Sequence, residues 1–113
     1  MTTIKIREEK IKGCPVLKVE GRLDAASTAT LEARLSSHLE KGVDKILIDF
    51  SKIEYLSSAG MRLLLSVNKR LQEAGGFLGL YSLRESVREI VKLAGFEKIL
   101  TIYADEKEVI QTI

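Results

Sequence analysis

The 113-residue chain carries 18 Lys and Arg against 16 Asp and Glu, a net charge of +2. So even a mixture, without a basic run, offers no electrostatic footprint for nucleic acid. With 45% hydrophobic and 30% charged residues, the chain predicts one soluble globular domain over residues 1–113. A lone cysteine, Cys14, precludes an intrachain disulfide and suits a reducing compartment. No apolar run reaches the roughly 18 residues of a membrane span, and Met1 is not followed by a signal-peptide core. A cytoplasmic protein with no membrane partner is expected.

Ile4-Lys-Ile-Arg alternates apolar and polar residues, which predicts a strand with one wet face. The turn Lys12-Gly13 leads to Val16-Leu17-Lys18-Val19, a second strand, antiparallel to the first because the link is short. Cys14, at its start, reads as a small buried hydrophobe. After Gly21-Arg22-Leu23-Asp24, a helix begins, with Asp24, Ser27 or Thr28 as its cap. Leu31, Leu35 and Leu39 line its inner face, and Gly42 stops it. His38, the only histidine, has no ligand-spaced partner and reads as solvated.

Ile46-Leu47-Ile48 is a continuous apolar run, expected of a central strand ending near Phe50. Helix 58–74 follows, with Leu63, Leu64, Val67 and Leu71 on one face. Gly75-Gly76 ends it, and Phe77–Tyr81 forms the next strand. Ser82 and Glu85 have the spacing of a capping box for a helix with Val87, Ile90, Val91 and Ala94 inward. Ile99–Ile102 predicts an edge strand, and Asp105 to Glu108 starts a short terminal helix. The order β-β-α-β-α-β-α-β-α predicts an α/β fold: a mixed, mostly parallel sheet with an N-terminal antiparallel strand and alternating helices.

The sequence carries no nucleophile elbow and no glycine-rich phosphate loop. Cys14 and His38 lie on different elements without a supporting motif. No catalytic residue, metal site or cofactor is therefore expected. An enzyme or ligand carrier would have to use Asp24, Asp49 and Ser58, the one set that could line a pocket at the strand ends.

Tyr55-Leu56-Ser57-Ser58-Ala59-Gly60 sits between the central strand and its helix. A serine here, read as Ser58, would ordinarily cap the helix for about 1 kcal/mol. Capping does not account for Tyr55-Leu56 on one side, expected on the surface or in the core, or for Ala59-Gly60-Met61 on the other. Phosphorylation does. A phosphate adds nearly two charges, is tolerated by the free N–H groups of a helix start, and reverses the character of a small-residue surface. The output of such a switch is binding.

The run Asp49-Phe50-Ser51-Lys52-Ile53-Glu54-Tyr55-Leu56-Ser57-Ser58-Ala59-Gly60-Met61 resembles the signature of the STAS domain, as in bacterial anti-sigma factor antagonists. Gly21-Arg22-Leu23-Asp24 resembles a second segment of that family, and the likeness spans essentially the whole chain. It implies a single STAS-type domain that binds an anti-sigma factor, itself a serine kinase of the GHKL ATPase type, and so regulates sigma-dependent transcription. The kinase would phosphorylate Ser58, with Ser57 the alternative, and a PP2C-type phosphatase would reset it. Asp24 maps to the family aspartate near the acceptor, Asp49 to the one ending the central strand, and Gly60 to the residue keeping the helix start open. Ser57 replaces the aspartate usual before the acceptor. Arg22, Ala25, Tyr55, Met61 and Arg62 join Asp24, Asp49, Ser57, Ser58, Ala59 and Gly60 as expected partner contacts, on a chain expected to be monomeric when free. The alternative the resemblance allows is a STAS scaffold or accessory subunit of a signalling or lipid-transport assembly, without phospho-switching.

Overall fold

The computed structural model describes residues 4–113. Its elements are β1 (Lys5–Ile11), β2 (Cys14–Leu23), α1 (Ala25–Glu40), β3 (Lys45–Leu56), α2 (Ser58–Glu73), β4 (Phe77–Tyr81), α3 (Glu85–Leu93), β5 (Thr101–Tyr103) and α4 (Glu106–Thr112). They form the single α/β domain that the alternating pattern predicts. One mixed sheet holds the strands in chain order, β1-β2-β3-β4-β5. β1 pairs antiparallel with β2, and every other neighbouring pair is parallel.

Each parallel strand is laid down beside its predecessor, always in the same direction. Crossovers of one hand then put successive helices on one face of the sheet. Leu31 and Leu35 of α1, Leu64 and Leu71 of α2, and Val87 and Val91 of α3 accordingly share one core with Leu17, Ile48, Phe50 and Leu80. α4 covers the other face, where Val109 packs on Val16, Leu47, Tyr81 and Tyr103. Cys14 is only half-buried at the margin of that smaller core.

The central strand is longer than its apolar run suggests. β3 continues seven residues beyond Asp49, the last residue it pairs with β4, and this extension is paired with β2 alone. Two irregularities interrupt that pairing. Lys18 faces Asp49 but Glu20 faces Lys52, and Gly21 faces Ile53 but Arg22 faces Tyr55. Each time β3 carries one residue more than β2, the arrangement of a β-bulge, which bends and twists the strand. Each extra residue also resets the inward phase. Phe50, Ile53 and Leu56, spaced by three, are all buried in the main core. Each contributes about 1.5–3 kcal/mol of apolar burial, so the extension is anchored despite its single neighbour.

Several local expectations change. The edge strand is Thr101–Tyr103, while Ile99 lies in the preceding turn with about half its surface exposed. α3 has no capping box: its N-cap is Arg84, without a side-chain cap bond, and Ser82 takes a left-handed conformation with φ 57°. That backbone excludes Ser82 from the helix start. Asp105 does cap α4, its carboxylate accepting from the Glu108 amide at 2.9 Å. His38 is held rather than solvated. Its Nε2 lies 2.6 Å from Glu8 Oε1, and Arg34 donates to the same carboxylate at 2.8 Å, tying β1 to α1. Burial would raise the Glu8 carboxyl, but the hydrogen bonds and charges of His38 and Arg34 hold it below the ordinary range.

Candidate functional site

The β2–β3 extension ends in two helix starts set side by side. Leu23 and Leu56 are register partners, and the Ser57 amide donates to the Leu23 carbonyl at 2.8 Å. One residue on, Asp24 caps α1: its Oδ1 accepts from the amides of Ala26 and Ser27 at 3.1 and 2.9 Å, and Ser27 Oγ accepts from the Asp24 amide at 3.1 Å. Backbone and side-chain hydrogen bonds from Ser27 hold the Asp24 carboxyl below its usual range, with smaller help from Ala26 and the Arg22 charge. A carboxylate so engaged is a fixture of the fold.

The two serines have different jobs. Ser57, in extended conformation, is the N-cap of α2, and its Oγ accepts from the Gly60 amide at 3.1 Å. Ser58 is the first helical residue, exposed, and its hydroxyl has no hydrogen bond among the described residues. The expectation that Ser58 caps the helix is corrected, because the chain enters the helix one residue earlier. Gly60 is buried, and its absent side chain serves packing. A Cβ there would stand 2.8 Å from Leu56 Cδ1 and 3.3 Å from the Leu23 carbonyl oxygen. Met61 is likewise only 5% exposed and largely core.

Beside Ser58 a groove of about 380 Å³ runs between α2 and α3. Leu65, Ile90, Ala94 and Phe96 line it with Tyr55, and Ser58 and Arg62 border it. Among the described residues of its lining, Arg62 is the one that carries a charge. Tyr55, 37% exposed, belongs to this surface, while Leu56 is core. The Arg22 guanidinium lies 4.5 Å above the Tyr55 ring, a cation–π contact. Leu93, 78% exposed on the same helix as Ile90, extends the apolar character of α3 outward.

A sequence model of the STAS domain matches residues 5–109. The chain belongs to the STAS domain family. It is 33% identical over 99 residues to BtrV of Bordetella bronchiseptica, named as a candidate anti-sigma factor antagonist, covering 88% of this chain and 85% of that protein. Its backbone superposes on the crystal structure of an anti-sigma factor antagonist from Mycobacterium paratuberculosis with a TM-score of 0.87 at 23% identity, covering 97% and 93% of the two chains. The Bacillus cell fate determinant SpoIIAA in its phosphorylated form gives a TM-score of 0.73 at 18% identity, covering 96% and 100%. At those identities the two structures speak for the STAS fold.

Within this STAS domain, Arg22, Asp24, Ala25, Tyr55, Ser57, Ser58, Ala59 and Gly60 gather where the two helices begin, and Arg62 follows one turn into α2. Asp49 is set apart. Seven residues before Leu56, it lies roughly 20 Å back along β3. Its Oδ1 accepts from the Ser51 amide at 2.8 Å and its Oδ2 is 3.9 Å from Lys18 Nζ. With Lys5, Arg7, Lys18 and Lys52 it borders a depression of about 240 Å³ on the other sheet face. Nearby, burial pushes the Tyr81 hydroxyl well above its ordinary value, with Asp49, Glu106 and Glu9 adding to it. Asp24, Asp49 and Ser58 therefore do not converge on one pocket. Among the described residues, no group of three or more His, Cys, Asp or Glu could hold a metal ion. Among the described residues, no helix is long and apolar enough to cross a membrane either.

The groove wall on α3 escaped the sequence reading. Ile90 and Ala94 fit the inward face of an amphipathic helix, and nothing in their spacing separates core from groove. Leu93 carried a signal, since it falls off the stripe of Val87, Ile90, Val91 and Ala94.

Proposed function

We propose that this STAS protein is an anti-sigma factor antagonist working by partner switching, with Ser58 as the phosphate acceptor. The division of labour between the serines carries the reading. Ser57 is committed to the Gly60 amide, while the Ser58 hydroxyl stands exposed and unbonded at the mouth of an apolar groove. The unmodified protein docks an anti-sigma factor of the GHKL serine-kinase type over this loop and groove, freeing a sigma factor. The kinase transfers the γ-phosphoryl group of ATP to Ser58 Oγ, with ADP leaving and the hydroxyl proton released. The dianion then sits at the rim of the interface, where its desolvation opposes docking. A PP2C-type phosphatase returns the hydroxyl by hydrolysis. The names of relatives such as BtrV support the antagonist role, and the phosphorylated form of SpoIIAA is a precedent for a phosphoryl group on this fold.

The test is binding to the anti-sigma kinase of the source organism. Ser58→Asp is expected to weaken the complex about 100-fold or more, and Ser58→Ala to bind like the unmodified protein yet resist release by ATP. Equal affinity of both variants, with no phosphate on either serine of the natural protein, would overturn phospho-switching and leave a constitutive scaffold.

A further inference from the structure

Arg62 lies four residues after Ser58 on α2, and both border the groove. Residues at that spacing share a helix face, with Cβ atoms about 5–6 Å apart. Arg62 is exposed and engages in no ion pair among the described residues, so its guanidinium is uncommitted. Arg22, the other cation near the loop, is stacked on Tyr55 and would have to leave the ring to move.

We propose that Arg62 is the internal counter-ion of a phosphate on Ser58. With Ser58 unmodified, Arg62 gives the groove a positive charge, open to a carboxylate on the docked partner. With Ser58 phosphorylated, the guanidinium folds back one turn and donates a paired hydrogen bond to the phosphate oxygens, the geometry for which its planar fork is suited. One modification then acts twice at the same surface: it adds a dianion at the loop and withdraws the cation from the groove. Arg62 thereby sets how completely phosphorylation silences docking. The inference rests on Ser58 being the acceptor.

It can be tested without a kinase, by incorporating phosphoserine at position 58 during translation. Phosphorus NMR then follows the phosphate through its second ionisation, ordinarily near about pH 6. In the natural background that pKa is expected about half a unit below its value in Arg62→Gln, because the lost guanidinium favoured the dianion. Arg22→Gln is expected to titrate with the natural background. The Arg62 Nε–H resonance is expected to move on phosphorylation. Superimposable titrations of the natural background and Arg62→Gln, with an unmoved Arg62 resonance, would overturn the clasp, as would a shift confined to Arg22→Gln. A null result here leaves partner switching standing, and failed kinase phosphorylation leaves this result standing.

Discussion

Replacing Ser57 and Ser58 one at a time by alanine separates two hydroxyls that are neighbours in sequence. Ser57→Ala removes the acceptor of the Gly60 amide at 3.1 Å, in a partly buried first turn. Loss of such a cap costs about 1 kcal/mol, within a range of roughly 0.5–2. For 113 residues, an unfolding entropy of about 2.1 cal/mol/K per residue makes that a fall in Tm of about 4 °C. Ser58→Ala removes an exposed hydroxyl bonded to nothing described, at a helical position where alanine is favoured. Its effect is expected within about 0.5 kcal/mol of zero. Calorimetry on both variants, beside mass spectrometry after incubation with the kinase and ATP, gives a crossed pattern. Ser57→Ala is expected to melt lower and still take one phosphate, whereas Ser58→Ala melts normally and takes none. A cap loss in Ser58→Ala with none in Ser57→Ala, or phosphate on Ser57 alone, would refute the assignment of roles.

Two further outcomes test the frame that holds the site. Gly76→Ala places a Cβ 1.7 Å from the Asp44 carbonyl oxygen, a backbone atom that cannot yield without shifting β3 against β4. A loss of about 3 kcal/mol in denaturant unfolding is expected, and a variant as stable as the natural protein would contradict the packing of that junction. Glu8 has its folded pKa lowered by His38 and Arg34, so its stabilising effect is complete above the ordinary value of 4.5 and is lost as pH falls through the folded value. Unfolding of natural protein and Glu8→Gln is therefore expected to differ above pH 4.5 and to converge as the carboxylate takes its proton, and a gap that survives full protonation of Glu8 would show the sign to be wrong.

Much of this architecture is legible before any coordinates. The apolar run Ile46–Ile48, the helical stripe from Leu63 to Leu71 and the glycine stops at Gly42 and Gly75 fix a central strand and its flanking helices, and those periods come from packing on a single core. Phe50, Ile53 and Leu56 were harder. A spacing of three does not look like a strand, and it is one here only because two bulges each insert a residue. Read without the bulges, Ser51–Leu56 becomes loop, Asp49 becomes the strand end, and Leu56 drifts to the surface. The same shift hid the cap, since it is the true strand end at Leu56 that brings Ser57, and not Ser58, into extended conformation. The serines were visible as a pair, but which hydroxyl was free depended on one residue of register.

The bulges also explain why the site stands where it does. β4 stops pairing at Asp49, and a straight β3 ending there would begin α2 level with the other strand ends. The two-strand extension instead carries both helix starts beyond the rest of the sheet, with Leu23 and Leu56 interlocked and the Ser57 amide bonded across. Ile90 of α3, with Ala94 and Phe96 just beyond its end, supplies the far wall of the groove. The result is a loop whose shape is set by buried residues on either side, Leu56 and Gly60, while Ser58 between them is exposed. A hydroxyl in that position can gain a phosphate without a change in the fold beneath it. Such an arrangement suits a surface whose binding is to be switched while its scaffold stays fixed.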